Sequence, residues 1–278
     1  MDERMRVVLA GADVDAVVDL GCDLADAGRQ EDALVCFERA VELGGDWVWG
    51  NVGNTLLELD RPLEAAEAYR RAAAAGETDA WVHLGHLLES LGDLDGAAGA
   101  FAAAGESGLP EGFVELAHLR HDRGDLPGAD AALTRAGEDP QAFALRACWE
   151  WEATLDPQLE PRLRAGAAVS GAARAALAAL LLLTRRAGQA QQQLELGAKL
   201  GQRECWLPLG NLLAESDIDA AEAAYTAGIA AGDAYCHHNL ALLLLERGNR
   251  QRAEFHLAAG AAAGDDLARR ALRDLPRD

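Results

Sequence analysis

The chain has 278 residues, half of them apolar, enough to bury one large core or two ordinary ones and too many for a disordered chain. Its formal charge of −21 sets it against nucleic-acid phosphates and anionic membrane surfaces. Five cysteines, odd in number and without a CxxC, exclude a disulfide framework and a zinc knuckle.

The start, MDERMRVVLAG, is acidic and lacks the apolar core of a secretory signal, so a cytoplasmic location is expected. Its MRVVLAG mimics the tail of a helix. From Val14 the pattern becomes periodic. Leu20–Gly21, Leu24, Gly28, Ala33, Phe37 and Ala40 predict helices over 14–27 and 30–43. Trp49, Val52–Gly53, Leu56, Ala65, Tyr69 and Ala72 repeat that pattern and predict helices over 46–59 and 62–75. Trp81, Leu84–Gly85, Leu88, Gly92, Ala97, Phe101 and Ala104 repeat it again, over 78–91 and 94–107. A fourth unit from Pro110 carries Phe113, Leu116–Ala117, Gly124, Ala129, Leu133 and Ala136.

The middle is weaker. Gly108 and Gly201 lie 93 residues apart, room for three units of 31, so two degenerate units are expected at about 140–170 and 171–202. AFALRACWEWEATL supplies a first helix, Pro157 and Pro161 bracket a shortened turn, and Trp149 and Trp151 read as core packing. LAALLLLTRRAG at 177–188 is too short to span a bilayer. The regular pattern then returns with Trp206, Leu209–Gly210, Leu213 and Tyr225, and again with Leu240–Ala241, Leu244, Gly248, Ala253 and Leu257. DDLARRALRDL closes the chain as a charged amphipathic helix.

Each unit is two helices. Counting from the start of a unit, positions 4, 7, 8 and 11 form one stripe of the first helix, and 20, 24 and 27 one stripe of the second. Small residues at 8 and 20 let the pair touch. Glycine near 15 ends the first helix, and a second glycine (Gly44, Gly76, Gly108, Gly201, Gly232) ends the second. One pair cannot bury its apolar face alone, so the copies must stack.

WVHLG, WGNVG and WLPLG, followed by A-x3-F/Y, resemble the tetratricopeptide repeat, and the AAAAGETDAWVHLG junction also resembles Sel1-like repeats. The pitch between Trp49 and Trp81 is 32 residues, shorter than the roughly 34 of the family, and glycine stands where the family ends its unit in proline. The resemblance implies an all-α, right-handed α-solenoid of about eight helix-turn-helix repeats with terminal capping helices, a single array over 1–278. Regular repeats would occupy 14–137 and 203–262, degenerate ones 138–202, and the capping helix 263–278.

It also implies protein or peptide binding on the concave face, at positions 2, 5, 6, 9, 12 and 13 of the first helices. Carried over one unit at a time, these are Asp15, Asp19, Cys22 and Asp26; Trp47, Asn51, Asn54 and Glu58; Asp79, His83, His86 and Glu89; then Glu111, Glu115, His118, His121 and Asp122. The C-terminal units add Glu204, Asn211, Glu215, Tyr235, His238, Asn239 and Glu246, with Ala172, Ala175, Ala176 and Ala179 a bland wall before them. The family's clamp for acidic chaperone tails needs lysine and arginine in this groove, and the first four units have neither. A basic or extended partner segment fits better, with the interaction weakened by salt and by protonation of the histidines.

The expected reading is a non-enzymatic scaffold without cofactor or metal. Two alternatives stand beside it. His86, His118 and His121, with Glu89 or Glu115, have the residue types for a zinc or nickel site and thus for a metal-dependent or hydrolytic enzyme. Self-association through the terminal helices or the weak middle is the other.

Overall fold

A computed structural model describes residues 3–11 and 13–275. Residues 276–278 of the expected capping helix lie outside the described residues, as do Met1, Asp2 and Ala12 of the N-terminal stretch. Helices are the only regular structure among the described residues, and none is long and apolar enough to cross a membrane.

The chain divides into two compact units, Met1–Asp139 and Pro140–Asp278. The first holds α1 (Glu3–Ala10), α2 (Val14–Asp26), α3 (Gln30–Glu42), α4 (Trp49–Glu58), α5 (Pro62–Ala74), α6 (Asp79–Ser90), α7 (Leu94–Glu106), α8 (Pro110–Asp122) and α9 (Leu126–Arg135). The second holds α10 (Pro140–Thr154), α11 (Glu160–Gly166), α12 (Gly171–Leu183), α13 (Ala187–Lys199), α14 (Trp206–Leu213), α15 (Ile218–Ala230), α16 (Tyr235–Glu246), α17 (Arg250–Ala262) and α18 (Asp266–Asp274). The six helices expected over 14–107 all form, with ends within three residues of the sequence estimate. The largest shift is in the second unit of the repeat, where a 3-10 turn at Asp46–Val48 delivers the chain into α4.

The ends of these helices follow from local chemistry. Asp93 and Asp125 precede α7 and α9, and their carboxylates accept from the Gly96 and Gly128 amides at 2.9 and 3.0 Å, satisfying donors that a helix start leaves unpaired. Gly92 and Gly108 leave α6 and α7 with φ of +81° and +97°, a conformation that costs a side chain but not glycine. Asp60 and Arg185 occupy the equivalent of Gly92 in two other units and take φ of +56° and +60°, each costing roughly 1 kcal/mol.

Within a pair, one contact recurs. A Cβ placed on Gly85 would lie 2.4 Å from the Phe101 ring, on Gly53 2.6 Å from Tyr69, on Gly21 2.6 Å from Phe37, and on Gly210 2.4 Å from Tyr225. The ring at position 24 therefore fills the space that glycine at position 8 leaves. Phe37, Tyr69, Phe101 and Tyr225 are all buried.

The segment after Pro140 departs from this plan. α11 is a seven-residue second helix, entered through a 3-10 turn at Pro157–Leu159, and Trp151 fills the core beside Leu159 and Leu163. Leu155 carries a φ of +52° between α10 and that turn. Glu160 anchors the short helix: Arg186 reaches it at 2.6 Å and Arg164 at 2.7 Å. These guanidinium hydrogen bonds, Arg186 first, pull its carboxyl down to about 2.

Two outcomes follow. Gly85→Leu overpacks the α6–α7 contact and lowers stability by about 1–3 kcal/mol, whereas Gly99→Ala, where a Cβ meets nothing within 4 Å, leaves it unchanged or raises it by up to about 1 kcal/mol. Urea melts of the two variants measure both. Because the folded-state pKa of Glu160 is depressed, its stabilising effect is present above the ordinary carboxylate range and is lost as pH falls from 4.5 towards about 2. Glu160→Gln accordingly lowers the melting temperature at pH 7, and the gap from wild type narrows as melts are repeated from pH 5 to pH 3.

Candidate functional site

In the first unit the candidate side chains all stand on, or immediately before, the first helix of each pair. Asp15, Asp19 and Cys22 rise from α2, Trp47 precedes α4, and Asn51, Asn54 and Glu58 follow along it. Asp79, His83, His86 and Glu89 line α6, and Glu111, Glu115, His118, His121 and Asp122 line α8. Asn51, Glu115 and His121 are half-buried, the others exposed.

The buried rings reach this surface. The Tyr69 hydroxyl donates to Asn54 Oδ1 at 2.6 Å, so the Asn54 carbonyl is held by the core. His83 stacks on the Tyr69 ring with centroids 5.6 Å apart, and His86 and Phe101 meet edge to face with centroids 5.0 Å apart. His86 also bridges neighbouring first helices: Nδ1 is 3.8 Å from Glu89 of its own helix and Nε2 4.0 Å from Glu115 of α8. Asn51 donates to Cys22 Sγ at 3.8 Å, joining α4 to α2. His121 lies 3.7 Å from Asp122. Among the described residues no three His, Cys, Asp or Glu side chains gather as a metal ligand set, so His86, His118 and His121 do not converge on one point.

Charge is sorted between the two helices of each pair. In the first unit the arginines of ion pairs sit mainly on the second helices and the turns. Arg39 holds Glu42 at 2.9 Å, Arg61 holds Glu64 at 2.7 Å, Arg71 holds Glu67 at 3.2 Å and Arg135 holds Glu106 at 3.0 Å. Arg123, in the turn after α8, holds Asp95 at 2.9 Å. On the first helices Asp15, Asp19, Glu58 and Glu111 are in no ion pair with any described residue.

Position 4 carries a feature that the sequence reading did not draw out. The Arg71 guanidinium lies 4.7 Å above Trp49 and that of Arg135 4.2 Å above Phe113, each a cation–π contact that covers the ring. The signal was legible as an aromatic residue followed 22 positions later by arginine in two units. It also separates Trp49, covered, from Trp47, which is half exposed.

In the second unit Asn211 Oδ1 accepts from the Tyr225 hydroxyl at 2.8 Å and from Asn239 Nδ2 at 2.6 Å, linking α14, α15 and α16. Tyr235 is exposed, His238 is half-buried with Nδ1 enclosed and unpartnered, and Glu215 lies in the turn after α14. The alanine wall of α12 runs on into exposed Leu182 and Leu183, and Leu242 of α16 is exposed as well. The α12 part of this face is apolar where its counterpart in the first unit is acidic.

Stacked helix pairs closed by an aromatic ring against a small residue define the tetratricopeptide-repeat fold, and the chain has that fold. No protein-family model matches the sequence, and no curated protein does. Solved structures share the fold. A chain of the APC/C hetero-tetramer Cut9–Hcn1 is 17% identical, with a TM-score of 0.57 over 94% of this chain and 55% of that one. A tetratricopeptide repeat protein from Parabacteroides merdae is 12% identical, with a TM-score of 0.54 over 95% of this chain and 98% of that one. Yeast Tom70 is 15% identical, with a TM-score of 0.58 over 94% and 58%. The chain thus spans little more than half the length of the Cut9–Hcn1 and Tom70 chains that it matches.

Cys22 is a built-in probe of the acidic face. Partial burial raises its thiol pKa, and the negative charges of Asp19, Asp26 and Asp23 raise it further. Alkylation by iodoacetamide at pH 7.5 is therefore slow, Asp19→Asn with Asp26→Asn accelerates it, and added salt shrinks the difference. Equal rates in both proteins at low salt contradict a focused field at this face.

Proposed function

We propose that this protein is a non-enzymatic scaffold that holds a basic, extended segment of a partner protein along the first helices of residues 14–137. The observation that carries the reading is the charge sorting. Cations that could neutralise Asp15, Asp19, Glu58 and Glu111 are instead committed to carboxylates of the second helices and turns. A row of unpaired carboxylates focuses a negative field, which raises the local concentration of a cationic partner and speeds its encounter. Exposed Trp47 adds a face on which an arginine or lysine stem can stack. Asn51 and Asn54 supply amides along the same row, suited to an extended main chain with few charges to spare.

The fold neighbours agree with a scaffold in general terms, Cut9 being seen in a hetero-tetramer with Hcn1. The acidic face and the basic segment belong to this proposal alone, and so does the continuation of the array through the degenerate 138–202 to the regular 203–262.

The structure also selects the control for the test. Glu64, Glu67 and Asp95 are tied up in ion pairs, whereas Glu31 and Glu38 of α3 are exposed and in none. Affinity for an arginine- and lysine-rich peptide is measured by fluorescence anisotropy. Asp79→Lys with Glu111→Lys weakens it about tenfold, or roughly 1.4 kcal/mol, and Glu31→Lys with Glu38→Lys changes it far less. Raising the salt weakens wild-type binding. Equal losses in both double variants defeat the proposal.

A further inference from the structure

The last helix pair contains a histidine contact that neither the fold nor the acidic face requires. His237 of α16 and His256 of α17 bring their Nδ1 atoms to 3.0 Å. Their ring centroids are 5.2 Å apart, so the two nitrogens lie almost on the line between the rings, head to head. One ring donates its N–H and the other accepts with its lone pair. A metal bound side-on by both nitrogens needs lone pairs that converge on a third point, and these point at each other. The Phe255 ring, itself exposed, meets His256 edge-on at 5.3 Å.

We propose that His237 and His256 form an acid-labile clasp that joins α16 to α17 and so holds the C-terminal helices in place. The first proton added to the pair leaves the clasp closed, because an imidazolium donates to its neighbour as well as a neutral ring does. The second proton takes the accepting lone pair and sets two N–H groups and two positive charges head to head. The pair titrates as a unit, and opening belongs to its second step.

The surroundings do not cancel this repulsion. From α15, Glu222 faces the site, but it is shared by Arg247, which caps the end of α16, and Arg252 of α17, each at 2.9 Å. Arg252 and Glu222 act on His256 in opposite senses, and α14, packed on α16, carries no ionisable side chain. From α18, Arg269 pairs with Asp266 and reaches the Ala261 carbonyl, while Asp265 caps the helix. Packing around Gly260 leaves little slack: a Cβ there would lie 2.9 Å from Ala268 and 3.2 Å from His237, so α17, α18 and the histidine share one tight contact. Burial lowers both histidines below the ordinary value, which places opening below about pH 6.5.

The sign follows. Both groups bind protons more weakly folded than unfolded, so the clasp's stability is present above the ordinary histidine range and lost as pH falls below it. The test is amide hydrogen exchange of the full chain at pH 7.5 and pH 5.0, corrected for intrinsic rates. Residues 250–275 of the wild type lose protection by tenfold or more at pH 5.0, and His256→Gln, whose amide bonds without titrating, loses less than threefold. Equal losses in the two proteins overturn the clasp. The imidazole signals of the wild type give an independent reading that needs no variant: two separated titration steps for the pair support it, and a single independent titration of each ring near pH 6.5 overturns it.

Discussion

Four helix pairs of this protein are closed by a ring occupying the space left by a missing side chain, and the rest of the repeat is built around that contact. Phe37, Tyr69, Phe101 and Tyr225 each lie where the Cβ of a facing glycine would be, and that approach fixes the distance between the two helices of a pair. The contact is an all-or-nothing constraint. Interiors are packed to crystal density, so a methylene group at Gly85 has nowhere to go. It also explains how small, alanine-rich helices hold together with so few aromatics: in these four pairs one ring does most of the filling, and alanines let the backbones close around it.

The same rings couple the core to the outer face. Tyr69 and Tyr225 each end in a hydroxyl that holds the carbonyl oxygen of an asparagine on the first helix, and Phe101 supports His86 edge-on. Packing thereby orients side chains that a ligand meets. Electrostatics adds the second layer. Arginines on the second helices bind local carboxylates or cover aromatic rings, as Arg71 does Trp49, and on the first helices Asp15, Asp19, Glu58 and Glu111 stay outside any ion pair with a described residue. Surface ion pairs contribute little stability individually, so their placement matters less for holding the fold than for deciding which face stays charged.

Most of the fold was legible because the repeat writes each rule several times. Gly85 alone suggests nothing, but Gly21, Gly53, Gly85 and Gly210, each sixteen or fifteen residues before a ring, identify a helix pair. Positions where the rule is broken were harder to read. Arg185 and Asp60 replace a helix-ending glycine, and the chain turns there regardless because the flanking helices impose it. The 3-10 turn at Asp46–Val48 and the short α11 arise from tertiary packing, which periodicity does not encode. Of the candidate site, the acidic residues could be placed by register alone. The bridge from His86 to Glu115 and the histidine clasp of α16 and α17 depend on how side chains converge in space. His237 looked unremarkable in sequence because its partner lies 19 residues away on another helix.

The central claim is that the first-helix face of residues 14–137, rather than the second-helix face, receives a cationic segment. Backbone amide shift mapping tests it directly, with an isotope-labelled protein titrated with an extended arginine- and lysine-rich peptide. The account predicts saturable shifts concentrated on α2, α4, α6 and α8, with α3, α5, α7 and α9 little changed. Shifts spread equally over both sets of helices, or concentrated on the second, contradict it.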